Sequence, residues 1–504
     1  MDQLIDKILD LAYMGVFVFI IYLYYKCASF TLNYWKQHDV PYVTPLPFLG
    51  NLWNIFTLPA QIAQFTTRYY YKFDTPYFGM FILSRPYLVI RCPELIKQIL
   101  GKNFHNSYYR SVVCNENCKR VGSRWKYYKP SMISLNFSTY ELDIIVLMNK
   151  ASREMITYIK NKLKHEHSIE IRELCAKFAT DIIGSCVFGI DANSFRYNDD
   201  EFIKDRQFIF DFEWKKALTE AFYRVAPNIV NFFKVPFFNF FYVNSIKIAF
   251  LNAINERQRL IKRRNDLMDT LMQIKRITRN GEAFQFVGCK LAAEATQFIE
   301  EGFEIVSSTV AFALYELCLQ EKIQWKAHCE VVCAIAKYQK FTYEALQDMP
   351  YLDLVLYETL RKYPARAFLD RVCEKDYQVP NNDLVIEKGT SICIPVLGLH
   401  YDTKYFVDPE KFNPGRFCCE NRQGVPEFAY IPFENGSRCC LGKRFGFIAA
   451  KLALAAILLE YEVIRNAETP VSIERETRSF LLASKVNLPM TFKNTYCVDS
   501  TIFD

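Results

Sequence analysis

No Gly/Ser-rich linker, low-complexity run or internal repeat divides the 504 residues. Length alone would suggest about three domains, but without such breaks the chain reads as one continuous body. Nor does a lysine–arginine block or an RNA-reading motif accompany the formal charge of +7, which excludes nucleic acid as the partner. A mildly basic surface suits an acidic protein or an anionic membrane instead. The seventeen cysteines are an odd number and contain no C-x-x-C pair. They read as reduced thiols of a cytosol-facing protein, not as a disulfide framework. The doublets Cys418-Cys419 and Cys439-Cys440 match structural-zinc spacing poorly.

What is present is apolar. Hydrophobic residues make up 51% of the chain, with 43 Phe and 32 Tyr, enough for one large core. Residues 11–25 carry no charge, and the apolar run continues past Lys26 to Trp35. With Lys26 snorkelling, it reaches the roughly 20 residues that cross a bilayer. No small-residue cleavage site follows, so the run reads as an uncleaved transmembrane anchor. Lys26 and Lys36 follow it and only Lys7 precedes it, which places the body in the cytosol. A buried core helix is the alternative reading. The chain therefore divides into an anchor (1–35), a proline-rich hinge (36–50, with Pro41, Pro45 and Pro47) and a catalytic body (51–504). The prolines predict a stiff, extended connector.

Within the body, Tyr77–Ser84 and Tyr87–Cys92 predict a hairpin parted by Arg85-Pro86. From Pro93 to Gln320 the chain reads as helices joined by loops, with strands returning only after Tyr363. The expected fold class is mainly α with small β-sheets. One long helix is expected over Leu291–Glu316.

The stretch that carries chemistry is Pro432-Phe433-Glu434-Asn435-Gly436-Ser437-Arg438-Cys439-Cys440-Leu441-Gly442, followed directly by an apolar helical run. It predicts a tight loop that presents a thiolate at a helix N-terminus, an end that favours negative charge. Gly436 and Gly442 would permit turns that a β-carbon obstructs and let a flat ligand approach closely. Phe433 can shield a sulfur, and Arg438 is a planar donor suited to a carboxylate. At these residues the chain resembles the cytochrome P-450 superfamily of haem-thiolate monooxygenases, whose signature is F-x-x-G-x-R-x-C-x-G. Phe433, Gly436, Arg438, Cys440 and Gly442 fill its fixed positions, while Glu434 and Ser437 stand where glycine and proline are usual.

The resemblance runs from hinge to C-terminus, with the motifs in family order. It implies a P-450 fold binding haem b, with Cys440 as the metal ligand and Arg438 on a propionate. Trp125 and Lys129 match W-x-x-x-R, with lysine for arginine, and Arg371 follows Lys362-Tyr363-Pro364; all three would lie near propionates. Glu358, Arg361 and Arg416 resemble the buried Glu-Arg-Arg lock behind the haem loop, with Gly415 where glutamate is common. Lys443 and Arg444 resemble the basic face that receives an NADPH-dependent reductase, and cytochrome b5 is a second implied partner. The aromatic residues 203–241 would roof an apolar pocket fed from the membrane.

The usual A-G-x-[D/E]-T segment is here Glu301-Gly302-Phe303-Glu304-Ile305. Gly302 keeps room for oxygen and Glu304 keeps the acid, but Ile305 has no hydroxyl to relay a proton. Ser308 lies nearly a turn further on. Glu301 stands where alanine is common, and in the branch that hydroxylates fatty-acid chain ends a glutamate here can form an ester with a haem methyl. The chain most resembles microsomal insect members, in the endoplasmic reticulum, that oxidise foreign compounds, hormones and lipids. Ile305 also motivates two other readings: a haem-thiolate isomerase or dehydratase that does not activate O2, and a silent haem- or ligand-binding membrane protein.

Overall fold

The computed structural model describes residues 31–47, 49–51, 62–101, 108–109, 137–196, 251–259, 268–269, 276–279, 282–285, 289–373, 375–380, 384–422, 424–434, 440, 442–473, 475–476, 483–484 and 486–495, and positions 14, 15, 22, 26 and 248. In chain order the helices are α1 (Tyr34–Gln37), α2 (Ile62–Lys72), α3 (Pro93–Leu100), α4 (Phe137–Lys162), α5 (Ile171–Ile183), α6 (Cys289–Leu319), α7 (Glu321–Tyr338), α8 (Tyr343–Gln347), α9 (Pro350–Lys362), α10 (Val396–His400), α11 (Cys419–Arg422) and α12 (Lys443–Glu460). The strands are β1 (Tyr77–Ile82), β2 (Arg85–Ile90), β3 (Tyr108–Tyr109), β4 (Ile169–Glu170), β5 (Arg276–Arg279), β6 (Glu282–Gln285), β7 (Leu369–Cys373), β8 (Tyr377–Gln378), β9 (Val385–Ile386), β10 (Ser391–Ile394), β11 (Tyr461–Arg465), β12 (Arg475–Glu476), β13 (Ala483–Ser484) and β14 (Pro489–Asn494).

Two compact units hold these elements, the first comprising Met1–Val112, Arg224–Ala226 and Phe368–Leu399. Its sheet has the order β1-β2-β10-β7-β3. The expected hairpin forms, with Tyr77 opposite Ile90 and Ile82 opposite Arg85, but its turn is Leu83-Ser84 rather than Arg85-Pro86. Leu83 takes a left-handed φ of +53° there. Pro86 is tolerated inside β2 because β10 pairs with that strand only from Tyr87 onward, so its missing N–H faces no strand on that side.

The proline-rich segment is no free-standing connector: Leu46 and Gly50 close a turn within it through two backbone hydrogen bonds (both 2.8 Å), and it is tied to β1. Val43 N–H donates to Gly79 O (2.9 Å), Gly79 N–H to Pro41 O (2.7 Å) and Asn51 N–H to Phe81 O (2.7 Å). It thereby covers the free edge of β1, an edge that would otherwise invite pairing. Trp35, the last residue of the apolar N-terminal run, is 2% exposed and donates its indole N–H to Met80 O. Its ring lies so close to Gly79 that a β-carbon there would stand 2.4 Å away.

The second unit comprises Val113–Tyr223, Pro227–Ala367 and His400–Asp504. Its core is helical: α6 packs against α5, α9 and α12, and α4 packs against α5 and α12. The expected long helix is α6. Its Gly302–Leu319 stretch is apolar enough to cross a membrane, but 72% of it is buried within the protein, which makes it a core helix. The membrane span expected over residues 11–35 lies outside the described residues except at positions 14, 15, 22, 26 and 31–35. The aromatic segment 203–241 lies outside them entirely.

The expectation that strands return only after Tyr363 is corrected by β3, β4, β5 and β6. β3 and β4 each contribute two residues, paired with β7 and β14, and are too short to show an alternating period. β5 and β6 pair across Asn280-Gly281, a dipeptide strongly favoured in two-residue hairpin turns.

Candidate active site

Helix α12 begins at Lys443, with Gly442 as its N-terminal flank and no acidic residue in its first turn. Cys440 stands just ahead of it, half-buried. Its N–H donates to Phe433 O (2.9 Å), which closes the loop into a ring of backbone. Phe433 is buried, and Lys443 Nζ lies 5.8 Å from its ring centroid. Cys440 thus stands directly before the N-terminus of a long helix, an end that favours negative charge. Gly436 and Arg438 lie outside the described residues.

The backbone reason given for Gly442 is corrected. Its φ of −82° is ordinary, and no described residue lies within 4 Å of where its β-carbon would stand. Among the described residues, then, neither the backbone conformation nor a neighbouring atom requires glycine at this position. Among the described residues of this loop, Glu434 takes a left-handed backbone, buried at φ +57°.

Helix α6 brings the second group of residues to the same unit. A β-carbon on Gly446 of α12 would stand 3.8 Å from Val306 Cγ2 of α6, and one on Gly302 would stand 3.3 Å from Ile183 Cδ1 of α5. The Gly302–Val306 segment therefore runs between α5 and the first turns of the helix that follows Cys440. Glu304 is 8% exposed. Ser308 Oγ donates to Glu304 Oε1 (3.3 Å), whereas Ser307 Oγ donates to the Glu304 carbonyl (3.3 Å). Ile305 is half-buried. Glu301 lies in α6, but its side chain is outside the described residues, as are Trp125 and Lys129 entirely. Arg371 belongs to the first unit, in β7, 3% exposed and donating from Nη1 to Asp370 O (2.7 Å).

The lock expected from Glu358, Arg361 and Arg416 forms. Arg361 Nε and Nη2 donate to the two Glu358 oxygens (2.7 and 3.0 Å), and Arg416 Nε donates to Glu358 Oε1 (3.2 Å). Glu358 and Arg361 are fully buried, and Arg361 also donates to His400 O and Pro409 O. The sequence reading missed His400. Its Nδ1 hydrogen-bonds Arg361 O (3.1 Å), and its Nε2 accepts the Ile431 N–H (3.1 Å). One imidazole thus ties the lock to the segment that enters the Cys440 loop. Burial, with the Arg361 charge adding to it, pushes the His400 pKa down to about 3, so the ring stays neutral. Lys443 and Arg444 are exposed as expected, but Arg444 donates to Tyr343 Oη and lies over that ring.

A thiol directly ahead of a helix N-terminus that carries no acidic residue in its first turn suits an iron-bearing macrocycle. Comparison with known proteins decides which one: the profile of the family described as Cytochrome P450 matches residues 40–489. The chain belongs to the cytochrome P450 family. It is 34% identical over 481 residues to cytochrome P450 6j1 of Blattella germanica, covering 93% of this chain and 95% of the relative. It is 33% identical to cytochrome P450 6k1 of the same insect, covering 96% of each, and 31% identical to cytochrome P450 6a8 of Drosophila melanogaster, covering 90% and 93%. As a cytochrome P450 it is a haem-thiolate monooxygenase that inserts one oxygen atom from O2 into its substrate, and the main reading of the sequence stands. Nothing favours the isomerase or silent-binder alternatives.

Proposed function

We propose that this P450 is a membrane-tethered monooxygenase of apolar small molecules, with Cys440 as its iron ligand. The observation that carries the assignment is the Cys440 N–H held on Phe433 O directly ahead of α12, with the Glu304-bearing turn of α6 packed on that same helix. Bound at Cys440, haem iron supplies the redox chemistry on O2. The protein's residues do the rest. Phe433 keeps water from the sulfur, and the α12 terminus stabilises the thiolate. Arg371, Arg438, Trp125 and Lys129 hold propionates, and Glu304 supplies protons. The apolar N-terminal run that precedes α1 anchors the chain in the endoplasmic reticulum membrane, with the 51–504 body in the cytosol. An NADPH-dependent reductase, with cytochrome b5 as an accessory donor, docks where Lys443 and Arg444 are exposed, and the substrate enters from lipid. Glu301 is the candidate for an ester to a haem methyl.

Product formed per NADPH consumed, measured with reductase on fatty-acid and terpenoid panels, tests the reading. Wild type is expected to form hydroxylated product, and Cys440→Ser to lose both product and the absorption of thiolate-ligated haem. A Cys440→Ser protein with unchanged haem absorption sinks the ligand assignment. Acidic solvent extraction decides the ester, which fails if haem leaves the protein freely.

A further inference from the structure

Inserting one atom of O2 and releasing the other as water consumes two electrons and two protons per turnover. The reductase supplies the electrons, so the protons must be carried into a dry site by side chains or ordered water. A carrier has to both donate and accept, which a hydroxyl and a carboxyl do and an isoleucine does not. On the turn of α6 that packs against α12, Ile305 is therefore silent, and two serine hydroxyls, of Ser307 and Ser308, hydrogen-bond Glu304.

The structure separates these two serines. Ser307 Oγ is spent on the backbone, donating to the Glu304 carbonyl at 3.3 Å, and it is 5% exposed. Ser308 Oγ instead donates to the Glu304 carboxylate at 3.3 Å, and it is only partly buried. The four-residue spacing stacks the two side chains on one helix face. A buried carboxyl joined to a hydroxyl that retains access to water has the form of a two-member proton carrier. We infer that Ser308 and Glu304 together form this enzyme's proton-delivery pair, with Ser308 supplying the hydroxyl that Ile305 lacks. Glu304 in its acid form gives its proton toward the site; Ser308 Oγ–H then donates its own proton to the Glu304 carboxylate, along the hydrogen bond it already makes, and takes a replacement proton from water. The proton balance closes without any further reagent. This inference rests on the monooxygenase reading.

The test compares wild type, Ser308→Ala, Ser308→Thr and Ser307→Ala holoenzymes with reductase and a turned-over substrate. Hydrogen peroxide and product are counted per NADPH, and thermal unfolding midpoints confirm equal folding. A second readout is independent of turnover: the infrared carboxyl and carboxylate bands of Glu304, assigned by their loss in Glu304→Gln and followed in H2O and D2O. Ser308→Ala is expected to lower product per NADPH by roughly tenfold, less than the ~10²-fold cost of removing a positioned acid–base group because water can occupy the gap. Peroxide should rise to match and the Glu304 band should shift. Ser308→Thr restores coupling, and Ser307→Ala behaves as wild type. Wild-type coupling in Ser308→Ala, equal uncoupling in Ser307→Ala, or a Glu304 band indifferent to Ser308 overturns the pair while leaving the monooxygenase reading intact. A wild type that consumes no NADPH with its haem intact and reducible overturns the reading beneath it.

Discussion

His400 binds two remote segments through one ring, and its protonation is a stability switch with a definite sign. Its pKa falls from the ordinary value near 6.5 to about 3 in the folded protein, chiefly because burial penalises the cation. The unfolded chain therefore binds a proton over that window and the folded chain does not, so the contribution is complete above pH 6.5 and is lost as pH falls toward 3. Each pH unit within the window is worth about 1.4 kcal/mol. Between pH 6.5 and 5 the wild type should lose roughly 2 kcal/mol more stability in urea titrations than His400→Asn, which removes the titrating ring. Equal slopes for the two proteins would show that the imidazole is not held neutral. The sequence could not have yielded this residue, because its partners Arg361 and Ile431 lie 39 and 31 positions away. Ser308 was nearer to legible. Its spacing from Glu304 is a helical neighbour's, but in the sequence it invites comparison with Ile305, the departure from the family pattern, and only the side-chain geometry points it at the carboxylate.

At the scale of elements, the Glu358–Arg361 fork is what fixes α9 to the segment that precedes the cysteine loop. Arg361 satisfies the Glu358 carboxylate and two backbone carbonyls, His400 O and Pro409 O, while Glu358 also accepts the Asn413 N–H (2.9 Å). Arg361→Met should cost about 3–5 kcal/mol, the range for stranding one partner of a buried pair. Adding Glu358→Leu, which can rescue an isolated buried pair, should not rescue this one. The double variant still leaves His400 O, Pro409 O and Asn413 N–H without partners, and each such buried group costs about 1–3 kcal/mol. Urea midpoints of the two variants decide it: a double variant as stable as wild type would reduce the lock to a simple ion pair. Elements of this kind are legible when their chemistry is contiguous or helically spaced, as with Glu358 and Arg361, the cysteine loop and α6. Legibility fails where pairing is long-range and short, as in β3 and β4. At β5 and β6 the signal is local, since Asn280-Gly281 is a favoured two-residue turn dipeptide. The β1–β2 turn was misplaced because Pro86 looks like a strand breaker until the start of β10 shows that it has no partner to lose.

For the whole molecule, the consequential point is where the apolar N-terminal run gives way to folded protein. Trp35 reads in the sequence as the tail of a membrane segment, yet its indole is 2% exposed and bonded to Met80 O, packed against Gly79, where a β-carbon would stand 2.4 Å from the ring. Around it, Tyr34 Oη donates to Glu387 Oε2 (2.9 Å) and His38 Nε2 lies 3.6 Å from Glu387 Oε1, so α1 is held to the body on both sides of the tryptophan. A chain shortened by residues 1–30 should therefore keep the unfolding midpoint of the full-length protein, whatever happens to its membrane attachment. Trp35→Ala should instead cost about 3–5 kcal/mol, as large aromatic truncations in a core do. Gly79→Ala should destabilise by a similar route, because a ring locked by its own hydrogen bond cannot retreat from a β-carbon at 2.4 Å. The decisive comparison is thermal unfolding of the 31–504 chain with and without Trp35→Ala. If the shortened chain unfolds as readily as the Trp35→Ala protein, the boundary lies further toward the N-terminus than α1; if Trp35→Ala is silent, the tryptophan belongs to the membrane segment after all.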